Sequence, residues 1–104
     1  MTKPTATFEA TAIDPAKGRF TVTVTIGTPY LSETEPHVWR CPVSIDPLYP
    51  RLSDIAGDNS FQALCLASRL AIDLLQGFIE KGGRITHDDE DVPLDAYIPL
   101  PPRT

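Results

Sequence analysis

Four consecutive acidic residues, Asp88-Asp89-Glu90-Asp91, are the densest run of chemistry-bearing side chains in the sequence. Carboxylate oxygens suit a hard divalent cation, and a run of negative charge suits a basic protein surface. Calcium loops space their ligands and include a glycine, as in D-x-D-x-D-G. This run has neither feature. The simplest expectation is a solvated acidic turn, the next a docking point for a basic partner, and a metal site comes last.

The other reactive side chains are two histidines, His37 and His87, and two cysteines, Cys41 and Cys65. A histidine beside a thiol would make a nucleophile and its base. Cys65 stands among leucines in a helical pattern, and Cys41 falls on the apolar face of a strand pattern. Free cysteine in such places is usually a buried, inert packing residue. Neither thiol belongs to a C-x-x-C pair, which disfavours zinc. No G-x-S-x-G, H-E-x-x-H, P-loop or G-x-G-x-x-G occurs. These motifs carry the commonest hydrolytic, metal and nucleotide chemistry. The expectation is no catalytic residue and no cofactor, with a small-ligand-binding protein or enzyme as a minor alternative, its pocket between sheet and helix and His37 or Cys41 at its mouth.

Aromatic residues offer a different chemistry. The single tryptophan, Trp39, shares its strand face with Cys41 and Val43. It reads first as a core aromatic and second as an interface anchor. Tyr30, Tyr49 and Tyr97 sit in or near loops, where they would either form a recognition surface or close the domain edges.

These residues must be positioned by a small number of elements. Residues 5–13 alternate weakly, with Ala6, Phe8, Ala10 and Ala12 on one face. Asp14-Pro15-Ala16-Lys17-Gly18 follows, with turn residues where a turn wants them. Residues 19–26 alternate fully: Phe20, Val22, Val24 and Ile26 oppose Arg19, Thr21, Thr23 and Thr25. The two segments predict a hairpin with one face in water. A third strand is expected at 37–45, edge-like or bulged because Pro42 lacks a donor. Residues 46–57 read as a connecting loop.

The strongest element is a helix over about residues 59–81. Asn59 is the expected N-cap with Gln62 at N3, and Gly82-Gly83 is the stop. At 1.5 Å per residue it is a rod of roughly 34 Å. Gln62, Arg69, Asp73, Gln76 and Glu80 fall on one polar stripe only about 60° wide. Phe61, Leu64, Ala67, Ala71, Leu74, Leu75 and Phe78 lie opposite. Ala67 and Ala71 should let the backbone approach a sheet. So narrow a stripe means that something besides the sheet must cover Leu66, Leu70 or Ile72: a loop, the C-terminal segment or another chain. Arg69 and Asp73 are a solvated i,i+4 pair worth at most about 0.3 kcal/mol. Beyond the helix, residues 84–87 suggest a short strand, and Val92 to Ile98 a returning one anchored by Leu94 and Tyr97.

Trp39-Arg40-Cys41-Pro42, Ile55-Ala56-Gly57-Asp58 and Ser60-Phe61-Gln62-Ala63-Leu64 resemble a family of small bacterial proteins of unknown function over roughly residues 20–98. That resemblance implies a strand meander followed by one helix and a bacterial cytosolic setting, with no known activity. The style of the chain is also similar to small acidic immunity proteins of toxin systems.

Length, composition and charge set the outer limits. The 104 residues, 41% hydrophobic and 22% charged, suit one soluble domain. The eleven prolines mark edges and turns rather than helix interiors. The net charge of −5 and scattered lysines and arginines argue against nucleic acid and anionic membrane surfaces. No apolar run is expected to approach the ~18–20 residues of a membrane span. Met1 to Ala10 lacks a leader's apolar core.

The expected fold is therefore α+β, an antiparallel β-meander of three to five strands packed against one long α-helix. Residues 1–98 would form the domain and residues 99–104 an extended proline-rich tail. The leading functional expectation is a cytoplasmic, non-enzymatic protein-binding module, immunity-like or regulatory. Its contact residues would be Asp88, Asp89, Glu90 and Asp91 toward a basic partner. Leu66 and Leu70 would instead serve a second chain, in the alternative of a homodimer built on the helix flank.

Overall fold

A computed structural model describes residues 4–97. It is α+β, with one long helix packed on an antiparallel sheet. β1 (Ala6–Asp14) and β2 (Gly18–Ile26) form the predicted hairpin, paired from Ala6↔Ile26 to Asp14↔Gly18. The Asp14 carboxylate accepts from the amides of Ala16 (2.7 Å) and Lys17 (3.0 Å). Those two bonds hold its pKa below the ordinary carboxylate value. The alternation read from the sequence holds: Ala10, Ala12, Val22, Val24 and Ile26 are buried on the helix side.

The segment expected as one third strand is two strands in two sheets. β4 (Trp39–Cys41) pairs with β3 (Tyr30–Leu31) and β6 (Ile55–Gly57) in a small three-stranded sheet. β5 (Val43–Asp46) pairs with β2 at the edge of the large sheet. Pro42 is the joint. It has no amide to donate, and its carbonyl accepts from the Gly27 amide at 2.8 Å. The inward alternation survives the change of sheet, since Cys41, Val43 and Ile45 are all buried. The expected 46–57 loop contains β6, and Tyr49 folds back on Ile45 through reciprocal backbone bonds.

α1 (Ser60–Glu80) begins and ends as predicted. The Asn59 side chain accepts from the Gln62 amide at 2.8 Å, and the Gln62 side chain accepts from the Asp58 amide at 2.6 Å. At the far end Gly82 takes φ +101°, where a side chain would be strained. Its amide bonds the Ile79 carbonyl and that of Gly83 bonds the Phe78 carbonyl, a Schellman closure. Ala63, Ala67 and Ala71 are buried one turn apart along the face toward the strands. Gly57 lets β6 touch the start of α1: a Cβ there would lie 2.6 Å from the Ala63 nitrogen. By length and composition α1 also meets the requirements of a membrane span. In this fold its alanine face packs on strands, and Arg69 and Asp73 interrupt its outer face.

β7 (Arg84–His87) joins β1, and β8 (Glu90–Asp91) pairs with β7, giving the order β5-β2-β1-β7-β8. The returning strand thus lies earlier than expected. Residues 94–97 form a single helical turn, α2 (Leu94–Tyr97), rather than a strand. Leu94 is buried as an anchor, whereas Tyr97 is half exposed. Ile98 and the proline-rich segment at 99–104 lie outside the described residues.

Candidate functional site

Leu48, Tyr49 and Leu52 from the β5–β6 connection pack against the core, as do Leu70 and Leu74. Ile72 is buried as well. Uncovered residues remain elsewhere on the helix: Phe61 is 73% exposed and Leu66 44% exposed. Phe61, placed on the sheet-facing side by sequence, therefore faces outward. It lies at the N-terminal end of α1, where β4 and β6 occupy the inner face.

Phe61, Leu64, Cys65, Ser68 and Ile72 recur at helical spacing along one flank. That flank leads into an apolar groove of about 270 Å³ between helix and sheet. Ser68, Ala71, Ile72 and Leu75 form its helix wall, and Phe8, Val24 and Ile26 its floor. Tyr97 closes one end, its ring edge-on to Phe8 at 5.5 Å between centroids.

On the other side of that aromatic pair lies a second concavity, of about 430 Å³. Phe8, Val92, Pro93 and Tyr97 supply its apolar surface. Glu9, His87, Glu90 and Asp91 supply its polar surface. The acidic run is thus a hairpin that borders a cavity. Asp88 (φ 52°) and Asp89 (φ 67°) are the two central residues of the β7–β8 turn. Left-handed positions of this kind are tolerated by aspartate better than by most residues. Asp91 is held by Arg84 at 2.8 Å and Asp89 approaches Arg19 at 3.6 Å. Asp88 meets His87 at 3.4 Å, an ion pair only when the imidazole is protonated. Glu9 and Glu90 are exposed and have no ion pair among the described residues. The four carboxylates do not converge, and no cluster of three metal-ligating side chains exists among the described residues.

The remaining candidates separate. Cys41 is fully buried, as its strand face predicts, and its thiol donates to the Gly27 carbonyl at 3.4 Å. Burial pushes its pKa up, with Asp54 adding to the effect. Cys65 is exposed, contrary to the buried thiol expected among leucines. Its position on the Phe61 flank explains the difference. His37 is exposed in the turn before β4, at φ 63°, rather than on a strand. Trp39 is half-buried against the core, between Leu31 and Gly57 of its neighbouring strands.

One polar network had no signal in the sequence. The Tyr30 hydroxyl donates to the Asp54 carboxylate, and Arg40 bonds both the Glu35 carboxylate and the Asp54 carbonyl. The bond to Asp54 raises the Tyr30 pKa, and the bond to Glu35 raises that of Arg40. The network ties the 32–38 turn and the approach to β6 onto β3 and β4. Its partners are far apart in sequence and share no motif. No family model, curated protein or solved structure matches the chain.

Proposed function

We propose that the chain is a non-enzymatic protein-binding module that meets its partner through the open flank of α1 and the adjoining grooves. The observation that carries this reading is the exposure of Phe61 and Cys65 on a flank whose partly covered Leu64 and Ser68 lead to the groove beside Ile72. Leaving a phenylalanine ring in water forgoes roughly 1.5–3 kcal/mol of burial, and contiguous exposed apolar surface marks interaction sites. The neighbouring carboxylates and the net charge of −5 favour a basic protein. An immunity-like or regulatory role fits such a module, in the bacterial cytosolic setting that the sequence resemblance implies. The raised Cys41 pKa argues against a nucleophile, which needs a lowered one.

The test is affinity capture from the native host with the wild-type chain and with Phe61→Ser. A stoichiometric basic protein recovered by the first and lost by the second is the expected result. Repeated recovery of no stoichiometric partner would count against the module. The exposure of Leu66, on the other side of the polar stripe from Phe61, favours a second reading, a homodimer on that helix flank. Light scattering decides it, since a clean monomer at high concentration removes it.

A further inference from the structure

We propose that the groove and the acidic cavity form one two-part docking site, divided by the Phe8–Tyr97 pair. It would take a peptide segment of a basic protein that presents an aliphatic side chain next to a lysine or arginine. The proposal rests on the protein-binding reading and names the partner chemistry at its site.

Three features converge on that occupant. The first is continuity: Phe8 and Tyr97 line both concavities, so a bound segment crosses from one to the other over a shared aromatic wall. The second is the contrast between the two sides. The groove beside Ile72 is walled almost wholly by apolar side chains, with Ser68 the exception among its lining residues. The cavity beyond Tyr97 carries Glu9 and Glu90 on its rim. The third is the distribution of charge. Arg19 and Arg84 approach Asp89 and Asp91, whereas Glu9 and Glu90 have no cation among the described residues. A guanidinium or ammonium entering there would meet Glu90 and the aromatic edge on the helix side of the sheet, and Glu9 from the opposite face across the strand edge. Its alkyl stem would lie on Val92 and Pro93, and an approach to either ring face would add cation–π attraction.

The test is a titration of the full chain, followed by amide NMR. The probe is a capped peptide of alternating leucine and arginine, with leucine–glutamine and serine–arginine peptides as controls. The leucine–arginine peptide should shift Glu9, Ile72, Glu90 and Tyr97 together and bind at least about tenfold more tightly than either control, as expected when both halves of the site contribute. Glu9→Gln with Glu90→Gln should weaken it about two- to thirtyfold, the range for losing two exposed ion pairs. Binding of the leucine–glutamine peptide should not change in that variant. Unchanged leucine–arginine affinity in the double variant would overturn the proposal, as would shifts confined to the Asp88–Asp89 turn. Shifts along Phe61 and Cys65 alone would also overturn it, while leaving the helix-flank module standing. Self-association through the Phe8–Tyr97 wall, insensitive to the glutamines, would overturn it in favour of a second copy. So would contacts of residues 98–104 with Ile72 in the free chain that the peptide fails to displace.

Discussion

A thiol reagent added to the folded chain should modify Cys65 and spare Cys41, because Cys65 is exposed on α1 whereas Cys41 is sealed in the core. Its raised pKa further lowers the fraction of reactive thiolate at Cys41. Counting released chromophore before and after denaturant checks this: one equivalent is expected first and a second only on unfolding. Both cysteines sit in apolar sequence contexts, so type and neighbours alone could not separate them. What separates them is which flank of α1 the small sheet leaves open, a property of tertiary packing.

The Tyr30 phenol gives a second residue-scale expectation. Its hydrogen bond to Asp54 favours the protonated form, so its pKa lies above the ordinary 10.0. A raised folded value means that the contact supports the fold while the phenol keeps its proton. That support is lost as pH rises through the folded value. In a tyrosinate absorbance titration, a step above the ordinary tyrosine value should vanish in Tyr30→Phe. An unchanged curve would mean that the Asp54 bond does not form in solution.

At the scale of elements, two glycines test why α1 sits where it does. Gly57→Ala places a Cβ 2.6 Å from the Ala63 nitrogen and 2.9 Å from its Cα, both backbone atoms of the helix. Neither can move without shifting the first turn of α1 away from β6. The cost should be about 1–3 kcal/mol, typical of overpacking. Gly77→Ala is the opposite case, with nothing within 4 Å of the new Cβ and a position inside the helix. It should stabilise by roughly 0.5–1 kcal/mol, through helix propensity and a less flexible unfolded chain. Urea unfolding of both variants decides the point. Two losses of similar size would show that the close approach at Gly57 is not special.

The elements also show how legibility depends on the range of the signal. The β1–β2 hairpin, the Asn59 cap and the Gly82-Gly83 stop were readable because each depends on residues within a few positions of one another. The splitting of 37–45 at Pro42 was half readable. Proline announced a defect in the ladder, but membership of two sheets depends on partners at 18–26 and 55–57. β6 was missed altogether: three residues, Ile55-Ala56-Gly57, are too short for any period to emerge. A turn after 84–87 was readable from the acidic run, but only Asp88 and Asp89 form it, and Glu90-Asp91 already belong to the returning strand. The cavity beside it needs Glu9 and Phe8 from the far end of the chain.

For the whole molecule, stability and recognition should separate along α1, because its inner and outer faces have different tasks. Leu75 is fully buried under the helix, so Leu75→Ala should cost about 2–5 kcal/mol. Phe61, 73% exposed, has little packing to lose on folding, so Phe61→Ser should stay within about 0.5 kcal/mol of the wild type. If the open flank serves the fold alone, through cover supplied within the chain, Phe61→Ser should instead lower the urea midpoint appreciably. If it serves a partner, the midpoint should hold while capture of that partner fails. The same reasoning explains the narrow polar stripe of α1. A helix resting on an open sheet needs only one apolar face. This one carries a second, and the connection at 48–52 reaches the core without covering Phe61. Equal midpoints together with lost capture would therefore assign the surplus apolar flank to recognition rather than to folding.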